Sequence, residues 1–160
     1  RSGRSCRLHH PRRDEGAVDE DRVEISIAND VHEIADVAAR IDEFCEARGI
    51  GPMTANAVNV SIDEILTNTI DYGYDDEGPH RIGIALSRQA DALVVEIDDD
   101  SRAFDPSEPP PGVDFDASLE ERTVGGLGLF LVHELMDSVN YRRAEGRNVV
   151  TLTKSLAEAD

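Results

Sequence analysis

Five short segments of the chain alternate apolar with polar residues, which is the pattern of strands with one buried face. They lie at about 23–27, 82–86, 93–97, 139–141 and 149–153. The last two flank Glu145-Gly146, a dipeptide that favours a two-residue hairpin turn. The alternation therefore predicts five strands, of which the last two form a hairpin.

Three other segments repeat their apolar residues every three or four positions, which is typical of amphipathic helices. They span about 30–49, 54–72 and 125–136, and Asn29 or Asp30 can cap the first of them. The resulting order is β-α-α-β-β-loop-α-β-β, in which the strands come in pairs. This order predicts an α+β fold, a two-layer sandwich with helices on one face of a mostly antiparallel sheet.

The two ends of the chain and one internal stretch lack such periodicity. Residues 1–21 change from basic to acidic, and we interpret them as a disordered tail or a linker. We expect one domain over residues 22–156, followed by a tail at 157–160. Within the domain, residues 104–123 hold four prolines and many acids. Loops of this length inside a compact domain are usually functional, so we expect a lid over a bound ligand.

Charge and composition exclude several functions. The 160 residues include 34 acidic and 16 basic ones, for a net charge of −18. Because phosphate binding along a nucleic acid needs a basic face, DNA or RNA is not expected as a partner. Lys154 is the one lysine, which excludes a Walker A phosphate loop. No apolar run approaches the ~20 residues that span a bilayer, and two cysteines without a pairing pattern fit a cytoplasmic location.

The second predicted helix carries a carboxylate and a carboxamide on one side. Glu64 and Asn68 are four positions apart, so they lie one turn from each other along the same stripe, beside the apolar face. Oxygen donors of this kind suit a general base next to a ligand of Mg²⁺. The alternative is an ordinary solvated polar stripe.

Three consecutive aspartates end the third predicted strand. Alternation places Asp99 on the apolar face of that strand, whereas Asp98 and Asp100 point away from it. A carboxylate at the edge of a core needs a hydrogen-bond donor, and the amino group of adenine is one such donor. An acidic turn without a ligand is the alternative.

Glycines open the third predicted helix. Gly125, Gly126 and Gly128, interspersed with Leu127 and Leu129, leave backbone amides free where the helix starts. Such amides can bind an anion without the help of a lysine. A tight turn is the alternative interpretation.

In combination these segments resemble a known family, the Bergerat-fold (GHKL) ATPases, and in particular the anti-sigma-factor serine/threonine kinases of bacterial partner-switching systems. The similar motifs are an N box (64–68 with 71–74), a first glycine box (95–99 with 104–106), a second glycine box (125–132) and a closing hairpin (146–152). The resemblance extends over residues 23–156. It rests on the order and spacing of the motifs together.

The resemblance implies a role for each motif. Glu64 would be the general base and Asn68 the ligand of Mg²⁺, while Asp99 would recognise adenine. Gly126 and Gly128 would meet the phosphates. The other residues implied at the nucleotide are Ser101, Ala103, Gly125, Leu127 and Leu129, with Arg102 and Arg122 beside the lid as candidates for phosphate contact.

The resemblance further implies a kinase that depends on ATP and Mg²⁺ and phosphorylates serine or threonine on a small antagonist protein. Its partners would be this anti-anti-sigma protein and a sigma factor, without nucleic acid or membrane, and a homodimer is compatible with it. Two alternatives stay open. One is a module that sequesters its partner and transfers nothing; the other is an ATPase or the catalytic domain of a histidine kinase.

The first glycine box departs from the family pattern at two positions. Ser101 and Ala103 stand where the family usually has glycine. A Cβ in a left-handed conformation costs roughly 1–2 kcal/mol, so we expect the loop either to be strained or to take another path over the adenine. In both cases we expect weak ATP binding for this family.

Overall fold

The computed structural model describes residues 20–110 and 126–156. Its strands are β1 (Arg22–Ala28), β2 (Arg81–Gln89), β3 (Ala92–Asp99), β4 (Ser138–Ala144) and β5 (Arg147–Ser155). Its helices are α1 (Ile34–Ala47), α2 (Pro52–Tyr72) and α3 (Gly126–Leu135). The strands of this part of the chain form one sheet in the order β1-β2-β3-β5-β4, with every neighbouring pair antiparallel.

The three helices pack on this sheet, so the predicted α+β class, the order of elements and the antiparallel sheet are confirmed. The predicted hairpin turn is confirmed as well. Glu145 and Gly146 both have positive φ, 54° and 77°, as a two-residue turn of the mirror-image type requires.

The buried face of the sheet consists of alternate residues of the inner strands, because successive side chains of a strand point to opposite faces. The helices cover it with their apolar stripes, and the result is one hydrophobic core. Its fully buried members include Ile82, Ile84, Leu86, Leu93, Val95, Ile97 and Leu152 from the sheet, and Ile41, Val58, Ile62 and Leu66 from the helices. This core holds the end of β3 and the start of β5 next to the start of α3.

Both long helices begin differently from the prediction. Asp30 does act as a cap, since its Oδ1 accepts a hydrogen bond from the His32 backbone N at 2.9 Å, but it caps a short 3-10 turn, and α1 begins only at Ile34. The second helix, α2, begins at Pro52, two residues before the predicted Thr54. Proline suits this position because the first amide of a helix has no intrahelical partner.

Several segments and residues named in the predictions fall outside the described residues. These are the tail through residue 19, most of the lid (111–123), Arg122, Gly125 and the end from residue 157 onward. Among the residues that are described, no helix is both long and apolar enough to cross a membrane.

Candidate functional site

A cavity of about 590 Å³ opens at the end of β3, between α2, the start of α3 and β5. Seven of the residues predicted for the site border it: Asn68, Asp99, Ser101, Arg102, Ala103, Gly126 and Leu129. They come from three separate parts of the sequence, and the antiparallel sheet with its helix layer brings them together. Apolar side chains such as Ile65 and Val150 form much of the remaining wall, which suits a flat organic ring.

Asp99 is buried in this cavity as strand alternation predicts, with 3% of its surface exposed. Its Oδ1 accepts a hydrogen bond from the Ser101 backbone N at 2.9 Å and another from Asn148 Nδ2 at 3.0 Å. The neighbouring aspartates are engaged elsewhere, Asp98 with Arg147 and Asp100 with His80. Asp99 is therefore the one of the three whose carboxylate faces the cavity.

Asn148, the donor to Asp99, is a site residue that the sequence analysis did not identify. It lies directly across from Asp99 in the pairing of β3 with β5, and only 2% of it is exposed. The signal that could have found it is the same alternation. Asn148, Val150 and Leu152 share the core face of β5, so a carboxamide continues an apolar face there.

Glu64 is not among the residues that border the cavity. Its carboxylate lies at the contact of α2 with α3, against Gly128, where an added Cβ would come within 1.9 Å of Glu64 Oε2. Burial raises the pKa of Glu64 above its usual range, and the nearby Asp63 carboxylate adds a smaller effect in the same direction. Leu127, which directly precedes Gly128 in α3, is 40% exposed and also stands outside the cavity lining.

The first glycine box is not strained at its two substituted positions. Among the described residues, the non-glycine residues with positive φ are Ala90 and Glu145, so neither Ser101 nor Ala103 has one. Of the two expected outcomes, strain is therefore wrong, and a different path of the loop over the adenine stays a prediction. Ser101 is 5% exposed and packs against Gly73, where an added Cβ would lie 2.8 Å from Ser101 Cβ.

Arg102 lies at the mouth of the cavity. Its backbone N donates a hydrogen bond to Gly73 O at 2.9 Å, which ties the first glycine box to the end of α2. The guanidinium is 57% exposed, and its Nη2 is 3.6 Å from Asp75 Oδ1. Contact of this side chain with a phosphate stays a prediction.

A second polar cluster lies beside the cavity, in the loop between α2 and β2. The His80 ring bridges two carboxylates, with Nε2 at 2.9 Å from Asp76 Oδ1 and Nδ1 at 3.2 Å from Asp100. The ring also stacks on Tyr74, with 4.1 Å between centroids. Hydrogen bonds to Asp76 and then to Asp100 raise the pKa of His80 above its usual range.

The Tyr74 hydroxyl is buried and has no hydrogen-bond partner among the described residues. Burial and the charges of Asp99 and Asp100 raise the pKa of this phenol, so the hydroxyl keeps its proton.

The residues that border the cavity offer few ligands for a metal ion. Asn68, whose side chain has one oxygen, borders the cavity, and the described residues contain no group of three or more His, Cys, Asp or Glu that could hold a metal. Mg²⁺ commonly takes one or two protein ligands and completes its shell with phosphate oxygens and water. The residues present therefore fit Mg²⁺ that arrives with ATP.

Comparison with known proteins identifies the domain type. The family described as histidine kinase-like ATPase domain matches residues 27–154. The serine-protein kinase RsbW of Halalkalibacterium halodurans is 29% identical over 102 residues, which cover 62% of this chain and 61% of that protein. The serine/threonine-protein kinase BtrW of Bordetella bronchiseptica is 31% identical over 97 residues, covering 59% of this chain and 66% of that protein.

The serine-protein kinase RsbW of Listeria monocytogenes is 30% identical over 104 residues, or 63% of this chain and 66% of that protein. The chain thus spans somewhat less than two thirds of the length of the curated relatives it matches. A crystal structure of the RsbU and RsbW domains of a Mycobacterium tuberculosis protein superposes with a TM-score of 0.56 at 15% identity, covering 84% of this chain and 32% of that one. This chain belongs to the histidine kinase-like ATPase domain family and is a distant relative of the RsbW and BtrW kinases.

Proposed function

We propose that the domain binds ATP with Mg²⁺ and transfers its γ-phosphoryl group to a serine or threonine of a small partner protein. The observation that carries this proposal is that Asp99, Asn68 and Gly126 border one cavity. A carboxylate for the base, an oxygen ligand for a cation and a helix start for the phosphates are three features that suit an adenine nucleotide. The family implies ATP binding, and the similarity to a serine-protein kinase and a serine/threonine-protein kinase supports the kinase activity.

The adenine end of the site is Asp99. Its carboxylate would accept a hydrogen bond from the adenine amino group, while the apolar walls Ile65 and Val150 would contact the ring. A buried carboxylate is costly unless donors surround it, so a ligand amino group that completes its hydrogen bonds gains affinity and selectivity together.

The phosphate end is the start of α3 together with Asn68. Free amides at a helix start and the positive end of the helix dipole favour a bound phosphate, and Gly126 leaves space for close approach. When bound, Mg²⁺ would neutralise phosphate charge, and Asn68 would supply it with a carboxamide oxygen.

In the proposed transfer the hydroxyl oxygen of the partner forms a bond to the γ-phosphorus, and the bond from that phosphorus to the ADP oxygen breaks. The ADP oxygen keeps the electron pair, and Glu64 accepts the hydroxyl proton. A raised pKa suits this role, because a carboxylate whose pKa lies nearer to the working pH is a better base.

The partners belong to the proposal as well. By its resemblance, the chain would act in the cytoplasm on an anti-anti-sigma protein and bind a sigma factor, alone or as a homodimer. The excess of 34 acidic over 16 basic residues favours protein partners over nucleic acid.

A second candidate function is a module that binds nucleotide and partner without transfer. One observation favours it: the Glu64 carboxylate lies against Gly128 and not in the cavity lining. A third candidate is an ATPase or the catalytic half of a histidine kinase. In these the phosphoryl group goes to water or to a histidine, and not to a serine or threonine of a partner.

Incubation with γ-labelled ATP, Mg²⁺ and a candidate antagonist protein distinguishes the three. Label on a serine or threonine of the antagonist supports the kinase, bound ATP without turnover supports the sequestering module, and free phosphate supports the ATPase.

If the domain is a kinase with Glu64 as its base, Glu64→Gln should keep ATP affinity within a few-fold and reduce transfer by roughly 10²–10⁴. Glu43→Gln, an exposed carboxylate on α1, is the matched control and should transfer normally. Unchanged transfer by Glu64→Gln would remove Glu64 from the mechanism.

A further inference from the structure

The side chain of Asn148 joins three segments of the site. Its Nδ2 lies 3.0 Å from Asp99 Oδ1, 3.0 Å from Ser101 Oγ and 3.0 Å from Arg102 O. The same nitrogen is 3.3 Å from Ser101 O. One buried amide group therefore supports both the base-binding carboxylate and the backbone of the substituted glycine box.

The orientation of this amide follows from its other end. Asn148 Oδ1 accepts hydrogen bonds from Tyr141 OH at 2.7 Å and from Arg143 Nη1 at 2.6 Å. A guanidinium can only donate, so the atom that faces Arg143 has to be the oxygen. The NH₂ group consequently faces Asp99, and β4 fixes it there.

The arrangement also determines which oxygen of Asp99 is committed. Both hydrogen bonds that Asp99 accepts from the described residues end at Oδ1, one from Asn148 and one from Ser101 N. With Oδ1 held from two directions the carboxylate cannot rotate freely, and Oδ2 is the oxygen left for a ligand.

We propose that Asn148 is a positioning residue that sets the preference of this site for adenine over guanine. The inference rests on the proposed nucleotide binding but not on phosphoryl transfer. At position 6, adenine carries an amino donor and guanine a carbonyl acceptor. A fixed carboxylate oxygen attracts the first and repels the second, whereas a carboxylate that turns freely discriminates less.

In this chain the Asn148 amide also holds the loop of the first glycine box, in which Ser101 and Ala103 replace the usual glycines. Ser101 and Arg102 direct two carbonyls and a hydroxyl toward Nδ2. Ser101 O also accepts a hydrogen bond from Arg143 Nη1 at 3.1 Å, and Arg102 O accepts one from Ser101 Oγ at 3.3 Å, so Asn148 supports these groups together with Arg143 and Ser101. The path of the first glycine box, and with it the wall of the adenine end, depends on Asn148.

The test measures binding of ATP and of GTP, each with Mg²⁺, by calorimetry on the full chain. Asn148→Ala should bind ATP about 10- to 100-fold more weakly, the usual effect of losing a hydrogen bond to a buried charge. GTP binding should change less, so the ratio of the two dissociation constants should fall by about tenfold. Asn140→Ala, an exposed asparagine of the same hairpin, is the matched control and should keep both constants.

A second variant acts only through the amide. Tyr141→Phe keeps the ring and removes the hydroxyl that donates to Asn148 Oδ1. It should lower the ATP preference a few-fold in the wild-type background and have no effect in the Asn148→Ala background.

Equal weakening of ATP and GTP in Asn148→Ala would mean a purely structural role and would overturn the inference. If Asn148→Ala fails to fold by circular dichroism, an unchanged ratio in Tyr141→Phe overturns it instead. A wild-type protein that binds neither nucleotide overturns the inference together with the proposed function. A wild-type protein that prefers ATP but transfers no phosphoryl group refutes the kinase alone, and the binding ratios still decide the role of Asn148.

Discussion

The α-carbon of Gly128 faces the carboxylate of Glu64 so closely that a Cβ added to it would come within 1.9 Å of Oε2. Gly128 has no positive φ, so space and not backbone conformation requires a glycine here. This contact determines how near α3 approaches α2, and it holds the proposed base at the helix interface.

Gly128→Ala should reduce phosphoryl transfer by about 10² while it leaves ATP affinity within a few-fold, because misplacement of a catalytic group by about 1 Å has effects of this size. The new methyl group must displace the end of the Glu64 side chain, which is flexible, so the protein should still fold. Transfer rates and calorimetric titrations with ATP are the measurements.

The control for that variant is Leu131→Ala, an exposed residue one turn further along α3. It should transfer at the wild-type rate. Equal losses of transfer in both variants would show that α3 tolerates no change, and the specific contact with Glu64 would then lose its explanatory value.

Asp99→Asn should weaken ATP binding at least tenfold, or by ~1.4 kcal/mol. Its carboxamide oxygen would stay toward Asn148, and its NH₂ group would then meet the adenine amino group, donor against donor. Asp98→Asn and Asp100→Asn should be nearly silent, since Asp98 pairs with Arg147 in a half-exposed ion pair of small energetic value. Equal effects at all three positions in ATP titrations would mean that the run acts as bulk charge.

Ser101→Gly combined with Ala103→Gly should weaken ATP binding a few-fold, the opposite of what the family pattern alone predicts. There is no strain to relieve, since neither residue has positive φ, and Ser101 Oγ is 3.0 Å from Asn148 Nδ2. Glycine also loosens a loop by roughly 0.5–1 kcal/mol per site. Ala103→Gly alone should show the smaller, purely entropic part. Tighter binding by the double variant in ATP titrations would contradict this prediction and support the expectation that the two substitutions weaken ATP binding.

The His80 bridge should make folding stability depend on pH. Because two carboxylates raise the pKa of His80 above the unfolded value of about 6.5, its contribution is fully present below that pH and is lost as pH rises through the folded pKa. Denaturation in urea between pH 6 and 9 should therefore show a fall in unfolding free energy that His80→Gln lacks. Glu77→Gln, an exposed carboxylate of the same loop, should keep the wild-type slope; a slope shared by all three proteins would assign it to other groups.

The sequence pattern predicted on which face of a strand or helix a residue lies better than it predicted which residue it contacts. Alternation along β3 identified Asp99, and the same rule along β5 would have identified Asn148, but no local rule indicates that the two residues face each other across the sheet. That relation depends on a register set by distant strands. On α2, helical spacing grouped Glu64 with Asn68, yet Asn68 borders the cavity while Glu64 meets α3, because the packing of α3 separates residues that share a stripe.

The loop at Ser101 shows a different limit. A glycine pattern predicts a backbone conformation, but here a buried serine and a buried asparagine, 3.0 Å apart, stabilise the loop without a positive φ at either substituted position. The two substitutions were visible in the sequence, but the compensating amide lies 47 residues away and is recognisable only once β5 is placed beside β3.

Two side chains orient Asn148, those of Tyr141 and Arg143. Both belong to β4, which pairs with β5 alone within the described sheet. An edge strand frays more readily than an inner one, and each opening would release the amide that holds the Asp99 carboxylate, the proposed adenine-binding group. Occupancy of the cavity and closure of this edge are therefore linked equilibria. Amide hydrogen exchange along β4, far from any phosphate, should slow when the nucleotide binds.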